Sequence, residues 1–208
     1  MLDANTTLLF FSAALLLALA PGPDNLFVLA QAIQNGSRAG LAVTCGLCTG
    51  LFGHTAAVTL GVAALLQTST LAFTLLKTMG GIYLCYLAWQ AFRAGASRPS
   101  TQIMDTPSLG RLYRRGVIMN ICNPKVSIFF LAFLPQFVDP ARGPVSLQFL
   151  SLGGLFLLAT VLVFGGISIS AGLVGNRARQ SPKVQQIINR LAGMIFAGLA
   201  VKLFLTRQ

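Results

Sequence analysis

The sequence predicts an all-helical membrane protein of six transmembrane helices, arranged as two inverted three-helix repeats, with helices one and four broken. Three observations predict it. Charged residues make up 9% of the 208-residue chain and hydrophobic ones 55%, where a soluble domain carries roughly a quarter charged. The apolar residues gather into six runs, each reaching the roughly 20 residues that a bilayer-spanning helix needs. Two of those runs, the first of each half, are interrupted by motifs built on proline. The runs do not alternate, so a β-barrel is disfavoured.

Taken in order, the runs cover residues 7–33, 40–66, 71–92, 113–137, 145–174 and 184–205. The first contains Pro21-Gly22-Pro23-Asp24-Asn25. Two prolines remove backbone donors and fix φ, and the glycine relaxes what conformation remains, so an unbroken helix is not expected there. Non-helical backbone at membrane depth survives only when buried in protein or facing a water-filled cavity. The segment before the break has the small-x-small look of a signal-peptidase site at Ala18-Leu19-Ala20. It carries Asp3 and no basic residue, so it is expected to be retained. The fourth run contains Asn123-Pro124-Lys125, with asparagine as N-cap and proline at the first helical position. The fifth is long enough to tilt.

Arg38, Arg93, Arg98, Arg111, Arg114, Arg115, Arg177, Arg179, Lys183 and Arg190 fall on one side of this arrangement, and Lys77, Arg142, Lys202 and Arg207 on the other. The basic-rich side is expected to be cytoplasmic, with both termini opposite. A five-span variant with a cytoplasmic amino end follows if the first run does not fully cross. Residues 1–95 and 113–208 form the two halves around a linker at 96–112, together one integral-membrane domain. Three spans is an odd number, so the second half enters the membrane in the opposite sense to the first. Interruptions at corresponding positions of two such halves point to a transporter's binding site. Gly36/Gly40, Gly46/Gly50 and Ser168/Gly172 stand at small-xxx-small spacing, which serves close packing within the bundle or a homodimer.

The net charge of +11 sits mostly in loops and is not interleaved with aromatics, which reads as topology signal and lipid contact, not as a nucleic-acid surface. Cys45, Cys48, Cys85 and Cys122 lie inside apolar runs, and one CxxC without a second pair is a weak metal signal. No metal or cofactor is expected.

Chemistry concentrates in three ionisable residues near the middle of their runs. Asp24 is one of four acids in the chain, His54 is the only histidine, and Lys125 follows the second proline motif. A charge at the bilayer midplane costs at least about 2.5 kcal/mol on insertion scales, so each requires a partner or a role. Asp24 is either the N-cap of a half-helix starting at Asn25 or Leu26, or a carboxylate that binds an ammonium group or a proton. Lys125 in a first helical turn opposes the macrodipole, which calls for an anion nearby, either Asp24 or a bound carboxylate. Together the two charges suit a zwitterion. His54 is a packing residue or a proton relay. Asn25, Asn120 and Asn123 are expected to line the site with Pro21, Gly22, Pro23 and Pro124.

At these residues the chain resembles the LysE/RhtB superfamily of bacterial amino-acid exporters, its RhtB branch in particular. The likeness runs through Ala20 to Asn25, Gly36 and Arg38-Ala39-Gly40, Gly80 with Tyr83-Leu84, Asn120 to Lys125, Phe129-Phe130 and residues 133–137. The resemblance implies a six-span inner-membrane exporter of homoserine, threonine, leucine or similar small amino acids, coupled to proton antiport. Many relatives carry an aspartate just after the glycine corresponding to Gly50. This chain has Leu51 there, so a proton role for that aspartate does not transfer; His54 is a substitute candidate. Other readings are an intramembrane enzyme using Asp24 and His54, for which no nucleophile–base motif is present. A cation exporter would call for more than one intramembrane acid, and a non-catalytic scaffold would leave the midplane charges without a phenotype.

Overall fold

The computed structural model describes residues 2–20, 22–62, 107–173 and scattered positions between 78 and 93 and between 190 and 201. Most of the third and sixth predicted spans, most of the linker, and Pro21 lie outside the described residues. Six α-helices are present among the described residues: α1 (Ala4–Leu19), α2 (Pro23–Asn35), α3 (Ser37–Ala57), α4 (Leu109–Ile121), α5 (Pro124–Ile128) and α6 (Val145–Leu173).

Both predicted interruptions are breaks. α1 and α2 meet at 60°, and α4 and the segment Pro124–Phe137 meet at 47°. Ser37–Gly61 and Val145–Ala171 are each long and apolar enough to cross a membrane, and the described residues hold up to four spans if each bent pair is one. The all-helical class and the two broken helices therefore stand as expected.

Local chemistry explains where the helices begin. Asp3 caps α1, its carboxylate accepting from the Thr6 amide at 2.6 Å. Asn123 caps α5 through the Lys125 amide at 3.0 Å, with Pro124 at the first position, where its missing N–H is no loss. Gly36 joins α2 to α3 at φ +83°, a conformation that a side chain rarely tolerates. Two stretches depart from α geometry. Val58–Val62 continues α3 as a π-helix, and Phe129–Phe133 continues α5 as another, followed by a 3₁₀ turn at Leu134–Phe137.

α3 packs mainly on α4 and α6, and α6 also covers α1 and α2. The α3–α4 approach is backbone against backbone. A Cβ on Gly46 would lie 2.1 Å from the Tyr113 carbonyl oxygen, and one on Gly116 would lie 2.5 Å from that of Val43. On the opposite side, Gly40 faces Ser168. Of the small residues flagged in the sequence, Gly40, Gly46, Gly50 and Ser168 thus stand at close contacts within the chain. One core is aromatic: Phe10 meets Phe137 at 5.2 Å, and Phe156 meets Phe129 at 5.2 Å and Phe130 at 5.1 Å between ring centres. Each such pair adds about 0.5–1.5 kcal/mol beyond the area it buries. Leu51 is buried in this cluster.

Candidate substrate site at the two helix breaks

α1 ends in carbonyl groups that have no helical partner, a partial negative pole. Two side chains satisfy them. Asn25 Nδ2 donates to the Ala18 oxygen at 2.6 Å, and Lys125 Nζ donates to the Ala20 oxygen at 2.9 Å. The cation that opposes the start of its own short helix is thereby held at the end of another. Where an anion is expected beside Lys125, the atom it bonds is a neutral main-chain oxygen.

Asp24 has the complementary placement. α2 begins at Pro23 with Gly22 as N-cap, two residues earlier than the Asn25 start expected for an Asp24 cap. Asp24 therefore sits inside the first turn, where the macrodipole favours a carboxylate. It does not cap: its Oδ2 accepts from Asn123 Nδ2 at 2.7 Å, across from the other break. Gly22 has φ −165°, extended backbone open to any residue, so the conformational freedom expected of this glycine is not used. A Cβ there would stand 3.5 Å from the Lys125 ammonium nitrogen.

Asp24 and Lys125 line one cavity with Leu17, Ala18, Asn120, Val126, Phe156, Thr160 and Phe164. Its volume is about 20 Å³, room for about one water molecule. No ion pair within 4.0 Å joins the two charges; the ion pairs among the described residues are those of Arg142 with Asp3 and Asp139. Each charge is instead held by a neutral group from the other half. Asp24 Oδ1, Asn25 Oδ1 and Asn120 Oδ1 are buried without a hydrogen-bond partner among the described residues. An orphaned buried acceptor is destabilising by about 1–3 kcal/mol. Two of these acceptors, on Asp24 and Asn120, belong to residues that line the cavity.

The structure thus brings together Asp24, Asn120, Asn123 and Lys125, with Asn25 and Gly22 alongside. Pro124 begins α5 but is exposed, and Pro23 only starts α2. His54 does not line the cavity. Its Nε2 lies 3.1 Å from the Asn120 backbone oxygen, and its ring packs 5.6 Å from that of Phe130. Asn120 is pinned as well by α3, since a Cβ on Gly50 would lie 2.6 Å from its Oδ1. The wall that sequence reasoning missed comes from α6: Phe156, Thr160 and Phe164 at spacing four share one helix face. A lone threonine in a run that also holds several serines gives little signal.

The LysE type translocator family matches residues 15–207. This chain belongs to that family. It is 34% identical over 202 residues, 97% of this chain and 98% of the relative, to an uncharacterized membrane protein of Vibrio cholerae. It is 33% identical over 181 residues, 87% of each chain, to proteins of Salmonella typhimurium and Salmonella typhi, both named homoserine/homoserine lactone efflux protein. No solved structure matches it. The chain is therefore a multi-pass membrane translocator, a non-enzymatic protein, and the intramembrane-enzyme reading falls away.

Proposed function

We propose that this chain is a secondary exporter of small neutral amino acids or their derivatives, of the homoserine type, working by alternating access around the cavity between the two helix breaks. One observation carries the reading: Asp24 and Lys125 face the same cavity without touching each other. A structural ion pair would close on itself. Two opposite charges kept apart by Asn123 and Ala20 leave a carboxylate for an ammonium pole and an ammonium for a carboxylate pole. The names of the Salmonella relatives support the same solute class.

The cavity is far below the roughly 300 Å³ of an open ligand pocket, so solute entry requires the breaks to move apart. On this reading the halves are inverted repeats, one rocking against the other in a bacterial inner membrane, with the basic loops in the cytoplasm. Proton antiport is assigned to Asp24, the buried carboxylate that a proton and an ammonium group can occupy in turn. His54 Nε2 lies 3.1 Å from the backbone oxygen of Asn120, which lines the same cavity.

Efflux of labelled homoserine from preloaded proteoliposomes tests the site. Asp24→Asn and Lys125→Ala are each expected to lower the rate by a hundredfold or so, the loss of about 2–5 kcal/mol that follows when one partner of a buried charged contact is removed. Unimpaired efflux by both variants overturns the assignment. Efflux indifferent to an imposed pH gradient overturns the coupling.

A further inference from the structure

The charged groups account for the two poles that every amino acid shares, and leave open what the site reads of the side chain. Apart from the exposed Ser146 at its start, α6 carries five polar side chains: Gln148, Ser151, Thr160, Ser168 and Ser170. Four are engaged elsewhere. Gln148 bonds the Asp139 and Gly143 main chain. Ser151 donates to the Leu147 carbonyl, Ser168 to that of Phe164 and Ser170 to that of Gly166. Thr160 alone among them lines the cavity, and it is 2% exposed. Phe156 lies one turn before it and Phe164 one turn after, so Thr160 is the single polar residue of α6 on an otherwise apolar wall.

We propose that Thr160 is the specificity-determining residue of this exporter, taking the hydroxyl of a short hydroxylated amino-acid side chain while Phe156 and Phe164 enclose its methylenes. The inference rests on the amino-acid export reading above. A threonine hydroxyl both donates and accepts, so it matches an alcohol in either sense. An aliphatic side chain of the same length would seal that hydroxyl in an apolar wall without a partner. Discrimination is moderate because the hydroxyl can turn back to the carbonyl four residues earlier on its own helix.

The test is competition in proteoliposomes between homoserine and norvaline, which differ by a hydroxyl in place of a methyl. Wild type is expected to favour homoserine about tenfold, the worth of one neutral hydrogen bond. Thr160→Val is expected to bring that ratio near one, chiefly through KM, while Thr160→Ser keeps it. A ratio unchanged in Thr160→Val overturns the proposal while export itself stands. Wild type that does not distinguish the two solutes overturns it too, whatever the variants' folding. Wild type that moves neither solute overturns the export reading and this inference with it.

Discussion

Asn123 serves both breaks with one side chain, its Oδ1 accepting from the Lys125 amide and its Nδ2 donating to Asp24. Removing it in Asn123→Ala takes a helix cap, about 1 kcal/mol, and strips a buried carboxylate of its donor, about 1–3 kcal/mol more. Thermal unfolding in detergent should show the loss. Asn123→Asp sets two carboxylates against each other and should be worse, and pairing it with Asp24→Asn should recover much of the stability. No recovery in the double variant would mean that the 2.7 Å contact is incidental. The charges at this scale were legible in the sequence because charge in an apolar run is conspicuous. Their immediate holders were not. A main-chain oxygen at Ala20 has no signature in a sequence, and neither Gly22's extended φ nor the start of α2 at Pro23 follows from composition.

Among elements, the α3–α4 contact is the most sharply constrained. Gly46→Ala would drive a methyl into the Tyr113 carbonyl and should destabilise the protein by about 1–3 kcal/mol, the usual penalty of overpacking. Gly154 on α6 has open space around it, so Gly154→Ala should be neutral or stabilising by up to about 1 kcal/mol. Equal melting temperatures for the two variants would count against the packing described. Gly50→Ala is a different probe, because its Cβ would displace the Asn120 side chain and should reduce efflux more than stability. Proline placed both broken helices in the sequence. The π-helical turns at Val58–Val62 and Phe129–Phe133 left no such mark, since they shift hydrogen bonds by one residue without any residue type that demands it.

For the molecule as a whole, the first residues and the loop after the second break are tied together. Arg142 bonds both Asp3 and Asp139, and Asp139 is bracketed by Gln148. The Thr6 amide, and then Arg142, pull the Asp3 carboxyl down to about 2. With the folded value depressed, this contribution is complete above the ordinary aspartate range and drains away as pH falls from about 4 to about 2. Wild type should lose stability across that window, and Asp3→Asn should lose less. A cysteine introduced as Ala141→Cys should react with an impermeant thiol reagent from outside the cell, and one introduced as Ser37→Cys should not. The reverse pattern would invert the orientation read from the basic loops. That reading needed only the positions of arginine and lysine, whereas the Asp3–Arg142 tie, 139 residues apart in sequence, needed the fold.

The bond from Lys125 to the Ala20 oxygen has a genetic corollary. Every amino acid supplies that oxygen, so no codon change at position 20 deletes it. A saturation screen for lost export should therefore be lopsided, returning many alleles at Lys125 and, at its acceptor, only those whose bulk disturbs the neighbourhood. Half of this contact is invisible to selection at the residue that provides it.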